Sequence, residues 1–228
     1  MLRWQPAILC LVALCASARA AEPAHYTFSP QPPGTIVQSQ LVYLAGEGMH
    51  SQWRIVLSKK LVGAAHGTSF YQWYLSFYAI DGTVYRLKYR SPDAHVPFSH
   101  VEKAQGASMW FPVQDAKIAG VGELMGAGAQ QAVVQSHEAA ADCGTARVDV
   151  FFYGAAMQRV MTTLSMQNPC DLSASVIHDA HGDSLQLTGP YYAGNAPLCC
   201  PTKPKVTARL HFHNGTWIEE PPYFKILK

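Results

Sequence analysis

Apolar and polar residues alternate along most of the chain after residue 36, and helical periodicity is hard to find beyond the first twenty residues. In KVTARLHFH, Val206, Ala208, Leu210 and Phe212 fall on one face, while Lys205, Thr207, Arg209, His211 and His213 fall on the other. That period of two marks a strand with one buried side. Further strands are predicted over 36–44, 53–58, 68–80, 83–90, 131–136, 148–153, 158–165, 174–178 and 184–188, where β-branched and aromatic residues are dense. Asp81-Gly82 and Asn214-Gly215 separate pairs of such runs and carry the residue types of tight hairpin turns, and His181-Gly182-Asp183 has the composition of a third tip.

Many short strands joined by hairpins predict an all-β chain, built as an antiparallel sandwich, a barrel or an incomplete propeller. The longest stretch without a period is 91–108, expected to be a loop that acts as a boundary or a binding surface. It separates an aromatic-rich β region over 21–112 from a cysteine-bearing β domain over 113–228. No internal repeat relates the two.

The first twenty residues, MLRWQPAILCLVALCASARA, combine Arg3, an apolar run over 6–16 and small residues at Ala18 and Ala20. This is the layout of a secretory signal peptide cleaved after Ala20. No later run approaches the roughly 20 apolar residues of a membrane helix, so a periplasmic or secreted protein without a transmembrane segment is expected. Leu14 stands where a lipid-attachment site usually has a small residue, which argues against an anchor on Cys15. Cleavage removes Arg3 and Arg19 and no acid, so the 17 bases fall to 15 against 15 acids. A formally neutral chain has no electrostatic footprint for nucleic acid.

The segment VGELMGAGAQQAVV over 121–134 resembles the calcium loop of integrin-type propellers, but only its glycines are kept. Glu123, Met125, Ala127 and Gln131 occupy the usual ligand positions. A hard cation needs several oxygens, so a metal-free glycine turn is expected. All ten histidines lie in the mature chain. If the strands around 184–188 and 205–213 pair, His178, His181, His211 and His213 converge with Asp179 and Asp183. Imidazoles on a strand at i and i+2 suit zinc, copper or nickel, although exposed histidines on a polar face account for the same pattern.

No GxSxG turn and no CxxC pair is present, and His181, Asp183 and Ser184 fit a polar hairpin tip better than a triad. In FYQWYLSFY, Tyr71, Trp73, Leu75 and Phe77 share one face, with Phe70, Gln72, Tyr74, Ser76 and Tyr78 on the other. One face is core. If not packed, the aromatics Tyr71, Trp73, Tyr74 and Tyr78 would offer a binding surface for sugar rings or a protein partner. Asn214-Gly215-Thr216 matches a glycosylation acceptor, but its hairpin role explains it sufficiently.

Mature Cys143, Cys170, Cys199 and Cys200 are even in number in an exported chain, so disulfides are expected. Adjacent Cα atoms lie about 3.8 Å apart, less than the roughly 4.4–6.8 Å of a relaxed disulfide. Cys143 and Cys170 are therefore each expected to bond one of the adjacent pair, in an order the sequence leaves open. A strained, redox-active pair is the alternative.

The glycine-rich turn, Cys143, VDVFFY, Cys170 and then GPYYAGNAPLCCPTKPKVTARLHFHNGTW together resemble the C-terminal part of the LppP/LprE family of bacterial envelope proteins, over roughly 113–220. The CCPT run is the most specific element. The resemblance implies bacterial export and a disulfide-stapled β domain, and it brings no activity with it. The expectation is an exported, non-catalytic envelope accessory or binding module for an envelope protein or glycan, with no cofactor. An extracytoplasmic enzyme, metal-dependent through the histidines, is the alternative.

Overall fold

The computed structural model describes residues 26–44, 51–65, 68–91, 100–104, 107–111, 113–126, 128–138, 145–154, 157–164, 172–191, 203–214 and 216–220. The expected signal peptide over 1–20 and all four mature cysteines lie outside these residues. The described residues form strands and turns, with no helix, and so none long and apolar enough to cross a membrane.

The first sheet holds β1 (Thr27–Ser29), β2 (Thr35–Leu44), β3 (Ser51–Ala65), β4 (Thr68–Asp81) and β5 (Val84–Arg90) in the order β1-β5-β4-β3-β2. β2 to β5 form an antiparallel meander, and β1 joins parallel to β5. A separate hairpin pairs β6 (His100–Ala104) with β7 (Ala107–Phe111). It occupies part of the segment expected to be a loop, because five-residue strands are too short to display a period.

Two further meanders follow. β8 (Val113–Gly122), β9 (Gln131–Glu138), β10 (Thr145–Tyr153) and β11 (Met157–Leu164) make the second. β12 (Ser173–Asp179), β13 (Gly182–Tyr191), β14 (Lys203–His213) and β15 (Thr216–Glu220) make the third. β8 escapes sequence reading for a local reason: its pairing with β9 slips between Val113 and Asp115 and again between Ile118 and Gly120. Each slip breaks the alternation that reveals a strand.

The sheets stack, and no closed barrel forms among the described residues. Trp53, Ile55, Leu75 and Phe77 of the first sheet pack on Ile118, Val134 and Phe151 of the second. On its other face the second sheet offers Val133, Val148 and Val150 to Ala174, Leu185, Leu187 and Leu210 of the third. The middle sheet is thus covered on both sides, and residues 131–136 and 146–151 are buried without interruption. The apolar cluster between the first two sheets spans the division expected near 91–108.

Side-chain amides lock the layers together. The Gln38 amide donates to the carbonyl of Ile118 at 3.0 Å and accepts from its N–H at 2.8 Å. Gln135, 2 % exposed, repeats this arrangement one layer on, accepting from Ala174 N–H at 2.9 Å and donating to Leu172 carbonyl at 2.5 Å. Each amide supplies the donor and acceptor that a neighbouring strand would have offered. Gln130 makes a third tie: its backbone N–H donates to Tyr43 carbonyl, and its side-chain oxygen accepts from Tyr43 N–H, both at 2.9 Å.

Candidate functional site

The aromatic run places its side chains as alternation requires, and both faces are largely covered. Trp73 is 3 % exposed in the core, and Tyr78 is fully buried. Tyr78 packs edge-on against Phe28, with ring centroids 4.8 Å apart; its hydroxyl donates to Pro30 carbonyl and accepts from Arg90. Burial pushes the Tyr78 phenol above its usual range, partly offset by the Arg90 guanidinium. These two aromatics therefore leave the expected binding surface, Trp73 because it faces the second sheet and Tyr78 because β1 and the segment following it cover the outer face. Tyr71 and Tyr74 remain half-buried.

A more promising constellation lies at one end of the stacked sheets. There the β8–β9 turn, the β12–β13 hairpin tip and the end of β14 border a cleft of about 410 Å³, lined by Glu123, Leu124, His181, Asp183, His211 and Phe212 among others. The turn is held by its own side chains. Glu123 accepts from Gly128 N–H at 2.6 Å; the buried Gln131 amide accepts from Met125 N–H at 2.9 Å and donates to Ala129 carbonyl at 2.8 Å. Gly126 and Gly128 adopt φ of 67° and 69°, the left-handed region where glycine is least strained. Two oxygen-bearing residues at calcium-loop positions thus bond the loop's backbone.

Asp183 joins two sheets. One carboxylate oxygen pairs with His178 Nδ1 at 2.7 Å within the hairpin, and the other accepts from Glu123 N–H at 2.6 Å across the layers. Close approach depends on glycine. A Cβ at Gly122 would lie 2.7 Å from Asp183 Oδ2 and 2.7 Å from Val176 Cγ1, and one at Gly120 would lie 2.8 Å from Val176 Cγ2. Asp179 shapes the tip by accepting from His181 N–H at 2.9 Å and from Arg209 at 2.8 Å. The Arg209 hydrogen bond, reinforced by the His181 amide, holds the Asp179 carboxyl below its usual range.

The pairing of β13 with β14 brings His181 and His211 to the same cleft. The four histidines do not come together as one ligand set, and among the described residues no group of three or more His, Cys, Asp or Glu could hold a metal ion. Alternation is the reason. His178 lies on the same face of the third sheet as Ala174 and Val176, whereas His211 and His213 alternate with the core residue Leu210 and face the opposite way. Ser184 is 1 % exposed and lies on the face opposite Asp183, so the His181, Asp183, Ser184 run forms no triad.

What the cleft offers is a set of hydrogen-bonding groups beside an apolar wall. Carboxylates of Glu123 and Asp183 and the exposed His181 stand near Leu124 and Phe212, the last supported edge-on by Trp217 at 5.3 Å. The participation of Glu123 was missed by sequence reasoning, since the GELMGAG turn and the HGD tip are 60 residues apart. The glycines and the single acid that each carries were the only signal.

No protein-family model matches the chain, and no curated protein or solved structure matches it either.

Proposed function

We propose that the chain is an exported, non-catalytic binding module of the bacterial cell envelope that takes a glycan, or polar groups of an envelope protein, in the cleft at the HGD tip. The observation that carries this reading is the way the cleft's ionisable groups are used. Asp183 binds His178 and a backbone amide, and Glu123 binds its own turn, while beside the cleft Asp179 fixes the hairpin tip through Arg209 and the His181 amide. Groups committed to holding shape form a preorganised rim for hydroxyls, with Phe212 as an apolar support.

Three consecutive meanders stack with their first strands β2, β8 and β12 adjoining, which supports an incomplete propeller. Export rests on the signal-like first twenty residues, and the LppP/LprE resemblance agrees with an envelope setting. The proposed staples fit the strand registers. The strand ends flanking Cys143, Cys170 and the Cys199-Cys200 pair all belong to the end of the stack opposite the cleft: Thr145 pairs with Glu138, Arg147 with Leu164, and Ser173 with Thr188.

Calorimetric titration of the processed protein with soluble envelope glycans tests the binding reading. Heat that saturates and disappears in Asp183→Ala and His181→Ala variants of unchanged fold is the expected result. Absence of binding to glycans and to purified envelope proteins, or binding that survives both substitutions, refutes it.

A further inference from the structure

We propose that the free end of the β3–β4 hairpin docks the protein onto an anionic lipid surface. Among the described residues β2 pairs with β3 only as far as Lys59, and β5 pairs with β4 from Ser76 onward, with Ser91 beyond its end bonded to Leu75. Beyond those points β3 and β4 pair with each other through Ala65 and Thr68. The result is a two-stranded arm reaching about 20 Å past its neighbours at the usual strand rise. Gly34 lets the chain turn closely into the start of β2: a Cβ there would run into the Lys59 carbonyl oxygen, and its φ is 68°.

Apolar exposure is concentrated on this part of the sheet. Leu61 and Val62 on the arm are 56 % and 60 % exposed, and Ile36 and Val37 at its root are 44 % and 45 % exposed. Charge follows the same geography. From Tyr26 to Ile80 the chain has three bases, Arg54, Lys59 and Lys60, and one acid, Glu47. Lys59 is braced at the base of the arm, its ammonium 4.6 Å from the Tyr71 ring centroid and 5.5 Å from that of Trp73. Lys60 next to it is exposed. Apolar residues beyond a basic, aromatic root match the depth profile of a bilayer interface, where buried apolar area and attraction to anionic headgroups act together.

An added peptide strand is the competing occupant of such an edge, and two features disfavour it. The register slips between Leu61 and Gly63, leaving Val62 without a partner on β4, and Lys60 sits on the open strand. Bulges and edge lysines are the devices by which sheets resist further pairing. The lipid reading also fixes an orientation. Gln38 lies beside Ile118, and Tyr43 beside Gln130, so the arm leaves the end of the stack opposite the cleft. The cleft would then face away from the membrane.

Flotation with vesicles of phosphatidylcholine alone, and with about a third phosphatidylglycerol, provides the test. The expected result is binding to the anionic vesicles only, reduced by salt, weakened about fivefold in Lys60→Ala and by about tenfold or more in a Leu61→Ser, Val62→Ser double variant. Lys60→Arg should keep full binding. Because the substituted side chains are exposed, unchanged melting temperatures establish that the variants fold. Asp183→Asn, which alters only the cleft end, should bind vesicles like the parent, so failure here is separable from failure of the cleft reading. No vesicle binding, equal binding to neutral vesicles, insensitivity to the arm substitutions, or capture of an acidic extended peptide in place of lipid would each overturn the proposal.

Discussion

Replacing Gln135 by methionine keeps the length and much of the volume of the side chain but removes both hydrogen-bonding groups of the bridge between the second and third sheets. Two backbone groups then lose their partners: the N–H of Ala174 and the carbonyl of Leu172, in residues only 3 % and 2 % exposed. An orphaned buried polar group costs about 1–3 kcal/mol, so the pair should cost about 2–5 kcal/mol. Total stabilities of about 5–15 kcal/mol make that a large fraction. In urea, with a slope of about 2 kcal/mol per M, the midpoint should fall by about 1–2.5 M. The matched substitution Gln38→Met removes an equivalent bridge between the first and second sheets. Gln38 is only half-buried, so water can replace its bonds, and the cost should be about 1 kcal/mol. Hydrogen exchange adds a local readout: the Ala174 amide should lose protection in Gln135→Met and keep it in Gln38→Met. A Gln135→Met variant within 0.5 kcal/mol of the parent on this scale, or a Gln38→Met variant equally destabilised, would refute the assignment of the bridge as a buried strand substitute.

Gly122→Ala should destabilise by about 1–3 kcal/mol, because its Cβ would displace Asp183 or Val176, both 2.7 Å away; thermal melting checks it, and an unchanged melting temperature would show that the layers can separate freely. Asp149→Ala should cost about 3–5 kcal/mol, since the Arg147 guanidinium, 2.9 Å away and 4 % exposed, is left buried without this carboxylate; chemical denaturation measures the loss. The Asp179 carboxyl, depressed by Arg209 and the His181 amide, should hold the hairpin tip at all pH above its usual value of 3.8 and release it as pH falls through its lower folded value. The His181 amide resonance should follow that acid-range transition and lose it in Asp179→Asn; a resonance that titrates identically in both proteins would exclude the contact.

Strand identity was largely legible in the sequence because alternation is a property of neighbouring residues. β14 and the hairpins at Gly82 and Asn214 were visible from a few residues each. Asn214 indeed adopts a φ of 50° and Gly82 one of 62°, conformations that Asn and Gly enter at low cost. β8 was hidden because its two register slips erase the period. The site was legible in halves. The HGD tip and the HFH strand were expected to meet, and β13–β14 pairing makes them neighbours. Strand alternation then divides the histidines between two faces, which a count of imidazoles does not reveal.

By itself the sequence determined an all-β chain with hairpins at defined positions, a cysteine-bearing half and a signal-like start. These follow from local steric preferences, periodicity and composition. Only the tertiary structure decided which glycines serve contacts between layers, that Tyr78 is buried while Leu61 and Val62 are exposed, and that Glu123 meets Asp183. Those outcomes depend on which sheet covers which face and where neighbouring strands stop, and no short window of residues encodes the position of a strand 60 residues away.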